Sequence, residues 1–164
     1  MQLLIPHLWY NTEANQAASL YTQLLPDSGI DWIHTVTDTP SGDAELIQFH
    51  LGDTTLAAIS AGPYVKLNES ASLMLDLSSK EEVDRLYQAL IVDGRELMPL
   101  QAYDFSPYYA WIEDRFGLSW QLSYNPDLEK DFTISFCLLF SEHQVGLAES
   151  ALKTYQKCFD NSQL

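Results

Sequence analysis

The side chains that could do chemistry in this chain are few and scattered. Histidine occurs at His7, His34, His50 and His143. No H-E-x-x-H, no G-x-S-x-G and no nucleophile–base pair is present. His7 alternates with Ile5 and Trp9, so these three share one face of a strand. A histidine there could serve as a cavity base or donate to a ligand. One histidine without a carboxylate partner is no catalytic set, however, and a core histidine bonded to backbone is expected. Trp9, Trp111 and Trp120 could cage a planar ligand, although strand aromatics more often build core. Tyr103, Tyr108 and Tyr109 with Phe105 read as an aromatic-rich loop, and loops on a rigid scaffold often carry binding. Ligand specificity is expected there. Glu113 and Asp114 invite an acid–base reading, but Asp114 starts a hairpin turn, where aspartate bonds its own backbone. His34 and His50 are expected at solvent or a sheet edge, and His143 in a polar turn.

The elements that must position these residues follow from periodicity. Ala14, Ala17, Ala18, Tyr21 and Leu25 form one helical stripe, with Thr12 as N-cap. Val83, Leu86, Tyr87, Leu90 and Ile91 form a second, opened by a Ser79/Glu82 capping box and closed by Asp93-Gly94. Ala148, Ala151, Leu152, Tyr155 and Phe159 form a third. Strand-like stretches lie between them: 3–10, 31–38, 44–51, 54–61, 72–77, 108–113 and 118–124. Gly52-Asp53 and residues 114–117 make hairpin turns. Residues 97–107, with two prolines, are too irregular to assign, though a short strand fits there. The order is β-α-β-β-β, then β-α-loop-β-β. On the last strand Trp120 and Gln121 alternate; Trp120 is expected under the helices and Gln121 on the opposite, ligand-facing side.

Residues 125–131 are polar and contain a proline, as a linker does. A strand over 133–140 and the third helix follow. Ala14, Ala17, Tyr21 and Ser28 match Ala148, Ala151, Tyr155 and Ser162 at one constant offset. Leu25, Asp27 and Ile30 match Phe159, Asn161 and Leu164 conservatively at the same offset, and a four-residue gap aligns Leu8 and Tyr10 with Leu138 and Phe140. The chain thus reads as one pair of modules followed by the opening β-α of another, either the start of a truncated tandem domain or an accessory dimerisation element.

Bulk properties narrow the partners. The 164 residues are 46% hydrophobic and 12% aromatic, enough for a folded core. A net charge of −15, from 8 basic and 23 acidic side chains, repels phosphate backbones and anionic lipid. Nucleic acid and membrane surfaces are therefore not expected partners. No run approaches the ~18 apolar residues of a membrane helix, and the N-terminus lacks signal-peptide features. Cys137 and Cys158 form no C-x-x-C and are expected as reduced core thiols of a cytoplasmic protein.

Several segments together carry a family resemblance. Pro6-His7-Leu8-Trp9-Tyr10, the helix with Ala14, Ala17 and Tyr21, Asp27-Ser28, Gly62-Pro63, Asn68-Glu69-x-x-Ser72 and Glu82-Val83-Asp84 resemble the PhnB-like branch of the vicinal-oxygen-chelate (glyoxalase/bleomycin-resistance/extradiol dioxygenase) superfamily. The most specific match is the run from Trp111 to Gln121, close to the branch's W-x-x-D-x-F/W-G-x-S-W-Q signature. The resemblance covers about residues 3–125. It implies an α+β fold in which paired βαβββ modules form a curved mixed sheet around a cavity. The domain is then 1–125, the linker 126–131, and 132–164 the β-α start of a further module.

Members of this branch are often labelled 3-demethylubiquinone 3-methyltransferase-like, yet no glycine-rich loop here follows a strand and opens a helix, as an adenosylmethionine site would need. Catalytic members hold a divalent metal with His, Gln or Glu. The corresponding positions fall near Ile5, Ala58, Ser72 and Gln121, of which only Gln121 could ligate. A divalent ion needs three or four N, O or S donors, so no metal and no cofactor is expected. Many relatives carry Cys-Gly before the signature tryptophan; Tyr109 and Ala110 stand there instead.

The expected function is metal-free binding of a small molecule, or an enzyme of unknown reaction, with a ligand cavity lined by His7, Trp9, Gln121, Trp111, Tyr109, Tyr103 and Phe105. Two other readings stand beside it: a bleomycin-resistance-type sequestering protein and a metal-dependent lyase, isomerase or dioxygenase. The superfamily's habit of pairing modules across a two-fold axis implies a homodimer, with residues 132–164 contributing to its interface.

Overall fold

A computed structural model describes residues 4–159. The expected matches at Asn161, Ser162 and Leu164 lie outside those residues, as does the start of the first strand at Leu3. In chain order the elements are β1 (His7–Tyr10), α1 (Ala14–Leu24), β2 (Ser28–Thr39), β3 (Gly42–Leu51), β4 (Thr54–Ser60), β5 (Ala71–Leu77), α2 (Lys80–Leu90), β6 (Arg95–Tyr103), β7 (Ser106–Glu113), β8 (Ser119–Tyr124), β9 (Phe132–Leu138) and α3 (Ala148–Cys158).

Two sheets form, ordered β1-β4-β3-β2 and β6-β7-β8-β5-β9. The βαβββ module is thus made twice. In each, the first strand lies parallel to the last, and the other neighbours within the module run antiparallel. The irregular stretch 97–107 hides most of a full strand: β6 spans nine residues, and its pairing with β7 slips three times around Pro99. Those slips break the period-2 pattern that sequence reading relies on.

Helix starts differ in detail from expectation. Ser79 caps α2, its Oγ accepting from the Glu82 amide at 3.3 Å. Glu82 instead pairs with Arg85, so the reciprocal half of the box is not made. Thr12 does not cap α1; the Ala14 amide donates to Ser60 Oγ on β4 at 3.1 Å. A cap supplied from a distant strand leaves no local signature.

One hydrophobic core serves both modules. Leu8, Tyr10, Ile47, Phe49 and Leu56 of the first sheet, the α1 stripe, Leu73, Leu75, Ile112, Trp120 and Leu122 of the second sheet and the α2 stripe all belong to it. Tyr21 of α1 packs edge-on against Trp120 at 5.0 Å between ring centroids. Arg85 of α2 reaches the Leu24 carbonyl of α1 at 2.8 Å. The helix-bearing faces therefore look inward on a shared core, and the opposite face of each sheet looks out. The sheets are not closed on each other.

Strand β9 folds back on its own chain. It pairs antiparallel with β5 over Ala71↔Leu138 to Leu77↔Phe132, without a register shift. Phe132 also lies over the β3–β4 turn, where a Cβ on Gly52 would come within 2.8 Å of its ring, and Lys130 pairs with Asp53 at 2.7 Å. By contrast α3 buries no residue, and Leu152 and Tyr155 of its stripe are exposed.

Candidate functional site

The outer face of the second sheet gathers most of the candidate residues. Alternation on β8 places Leu118, Trp120 and Leu122 in the core and Ser119, Gln121 and Ser123 on the other face. Trp120 is 1% exposed, as expected for the side under the helices. Gln121 stands between two neighbours. Its Oε1 accepts from Tyr109 Oη on β7 at 2.7 Å, and its Nε2 donates to Ser72 Oγ on β5 at 2.7 Å. Alongside, Trp111 Nε1 donates to Ser119 Oγ at 2.6 Å. Both side-chain ends of Gln121 are thereby fixed, which costs little once the strands are in register.

An aromatic wall stands at one end. Tyr103 and Phe105 stack at 5.4 Å and 16°, and each meets Tyr109 edge-on, at 5.8 and 5.1 Å. This group sits on the β6–β7 hairpin, not on a free loop, so it is held by strand pairing. Phe105 is 66% exposed while Tyr109 is buried. Burial, helped by the neighbouring Cys137 and Tyr103, pushes the Tyr109 phenol well above its ordinary range. Tyr109 is thus a neutral hydrogen-bonding group. Tyr108 leaves the set: it points to the helix side, donating to Asp84 at 2.6 Å under Lys80.

Cys137, expected in the core, is instead half-buried on β9 opposite Ser72, and Cys158 is exposed. Burial and the nearby Asp76 raise the Cys137 thiol, which keeps it protonated. Nothing local in the sequence reveals that β9 docks on β5 and so brings a thiol beside Ser72.

The remaining candidates lie elsewhere. His7 is exposed at the start of β1, not buried in the core. Its strand is at the sheet's edge, where only one side of the residue is covered. Trp9 also faces outward from the first sheet, its Nε1 donating to the Gly62 carbonyl at 2.8 Å. Because the two outer faces look away from each other, His7 and Trp9 do not join Gln121 within one chain. The three tryptophans make no cage: Trp9 and Trp111 lie on opposite outer faces and Trp120 in the core between them. A cleft of about 560 Å³ lies beside Gly52 and Phe132 and another of about 550 Å³ beside Trp9, Lys66 and Phe116; neither is lined by Gln121.

Asp114 is structural. It is 3% exposed, and its Oδ1 accepts from the Phe116 and Leu118 amides at 2.8 and 3.1 Å. Its Oδ2 accepts from Tyr21 and Trp120 at 2.6 and 2.9 Å. Burial raises its carboxyl, against the pull of those four bonds.

At the positions expected to hold a divalent ion, no imidazole or carboxylate stands among the described residues. Ala58 faces α1, opposite to a ligand-facing position, and its outward neighbours Ala57 and Ile59 offer no donor. Ile5 is apolar and exposed, and Ser72 and Gln121 bond each other. Among the described residues no group of three His, Cys, Asp or Glu side chains comes together. The loops entering α1 (Asn11-Thr12-Glu13) and α2 (Ser78-Ser79) contain no glycine, so neither forms the glycine-rich turn of an adenosylmethionine site. Among the described residues no helix is long and apolar enough to cross a membrane.

Comparison with known proteins places the chain. The family described as 3-demethylubiquinone-9 3-methyltransferase matches residues 2–123. A PhnB protein from Bacillus cereus shares 27% identity over 76% of this chain and 100% of its own, with a TM-score of 0.70. Protein PA1353 from Pseudomonas aeruginosa shares 26% identity over 76% of this chain and 98% of its own, with a TM-score of 0.65. A glyoxylase/bleomycin resistance protein/dioxygenase domain from Frankia, 12% identical over 76% of this chain and 98% of its own at a TM-score of 0.54, shares the fold. No curated protein matches. The matched segment carries both modules and the whole Trp111–Gln121 signature, and the chain therefore belongs to the 3-demethylubiquinone-9 3-methyltransferase family, in the PhnB-like branch of the glyoxalase/bleomycin-resistance superfamily.

Proposed function

We propose that this chain binds a small, planar, largely apolar molecule without a metal ion, on the outer face of the second sheet. The observation that carries the reading is the Ser72–Gln121–Tyr109 chain of hydrogen bonds beside the stacked Tyr103 and Phe105. A stacking wall next to neutral donors and acceptors suits an aromatic ring bearing a carbonyl or hydroxyl group. The same face supplies no acid–base pair and no activated nucleophile, so binding accounts for its residues better than a reaction does. Ser72 and Gln121 would have to break their mutual bond to ligate an ion, and burial keeps the neighbouring Cys137 thiol and Tyr109 phenol protonated, which makes them poor ligands.

A thermal-shift screen with planar aromatic alcohols, ketones and acids tests this, because a ligand of the native state raises its melting temperature. The expected result is a stabilising compound whose effect is lost in Gln121→Leu and weakened in Tyr109→Phe. Stabilisation by cationic glycopeptides alone would favour the sequestering reading instead. Stabilisation that survives Gln121→Leu would move the site off this face.

A further inference from the structure

We propose that β9 is a dimerisation edge: a second copy of this chain pairs with it antiparallel, about a two-fold axis through Ser135. An unpaired strand edge invites another strand, and proteins blunt such edges with charge, proline, bulges or shortness. Three of the four edges here are blunted. β1 is four residues long and follows Pro6. β2 carries Asp31 and Asp38 and two register shifts. β6 carries Arg95, Glu96 and Pro99 and three shifts. β9 has none of these: seven regular residues, with no proline and no charge. The stretch 132–141 is uncharged in a chain of which 19% is charged. Two copies, each of charge −15, can approach there with the least repulsion.

The hydrogen-bond pattern selects the register. Leu139 N donates to the Ser70 carbonyl at 2.8 Å, and the Asp131 carbonyl accepts from Ser78 N at 3.1 Å. Odd-numbered residues of β9 thus turn their backbone groups toward β5, and Phe132, Ile134, Phe136 and Leu138 turn theirs to the free edge. An axis at Ser135 sets Ile134 against the partner's Phe136 and Phe132 against the partner's Leu138. Each outward amide and carbonyl then finds a mate. The same register joins like with like on both faces. Phe136 and Leu138, 42% and 50% exposed, gain apolar neighbours, while Ser135 meets the partner's Ser135 and Cys137 meets the partner's Thr133. The two five-stranded sheets become one of ten strands.

Light scattering on the full chain should give a dimer. Phe136→Pro removes only an outward amide, which an edge strand tolerates, and should yield a monomer with unchanged circular dichroism. Phe136→Lys, a charge at the same place, should do likewise. Register is read by cross-linking with Cys137 and Cys158 replaced by serine. Ser135 then faces its own symmetry mate as a non-hydrogen-bonded pair, with Cα atoms about 4.5 Å apart, within disulfide reach. Ser135→Cys in that background should oxidise to a covalent dimer, and Thr133→Cys should not. A monomeric full chain, a dimer that survives both Phe136 variants, or failure of Ser135→Cys to cross-link would each overturn the proposal.

Discussion

Tyr21 donates its hydroxyl to Oδ2 of Asp114 at 2.6 Å, across 93 positions of sequence. The bond ties α1 of the first module to the β7–β8 turn of the second. Tyr10 lies 3.3 Å from the Tyr21 oxygen, so the hydroxyl also serves as acceptor in a buried chain. Tyr21→Phe keeps the ring contacts with Trp120 and Phe116 but leaves Asp114 and Tyr10 each short of a partner. The expected cost is about 1–3 kcal/mol by urea unfolding, the range for orphaning a buried polar group. A loss within error would mean that water replaces the hydroxyl.

The same carboxylate fixes a pH dependence. All four neighbours of Asp114 are donors, so Asp114→Asn sets an amide NH₂ against two of them and should destabilise the fold. Its folded pKa lies above the unfolded value because burial dominates. Between the two values the folded state holds more protons, and the stability due to this group falls as pH rises through that window. The asparagine does not titrate. The gap between wild type and variant should therefore widen as pH is lowered from neutral through the raised pKa toward the ordinary aspartate range. Urea midpoints at several pH values measure it, and a narrowing gap would reverse the assigned direction.

Trp120 fills the space between Tyr21 and Ile112 with its indole N–H bonded to Asp114. Trp120→Ala should cost roughly 3–5 kcal/mol, as large buried aromatics do. A loss below about 1 kcal/mol by chemical denaturation would contradict its inward placement.

Gly94 follows Asp93, which sits at φ 58° just past the end of α2. A Cβ on Gly94 would stand 2.2 Å from the Glu113 carbonyl oxygen, a backbone atom that cannot swing aside. Gly94→Ala should cost about 1–3 kcal/mol, as overpacking does, and lower the melting temperature. Retention of the wild-type value would show that the β6–β7 end shifts freely.

Elemental analysis after dialysis should find no stoichiometric divalent ion, because Ser72 and Gln121 bond each other, Ile5 is apolar and the outward residues Ala57 and Ile59 of β4 offer no donor. Nickel, zinc, iron or manganese bound one per chain would restore the metal-dependent reading.

Local pattern was enough for much of this fold. The stripes of α1, α2 and α3 are written at helical spacing, and Trp120 and Gln121 part to opposite faces because strand period is two. The run from Trp111 to Gln121 identified the family from its residues alone, and Asp114 read as a turn residue because its bonds to Phe116 and Leu118 are local. What escaped was non-local. β6 was obscured by register slips that only its pairing with β7 defines. Ser60 caps α1 from a strand 46 residues away. His7 and Trp9 share a strand pattern with core residues, yet only the packing of both helix-bearing faces on one core decides that they look away from Gln121. Strand β9 has the composition of a module's first strand, and composition does not say that it adds to β5, sets Cys137 beside Ser72 and, among the described residues, forms the edge of the sheet. Periodicity reports which way a side chain turns relative to its neighbours in the chain; which surface it then meets depends on contacts between distant segments, and those exist only once the sheets are assembled.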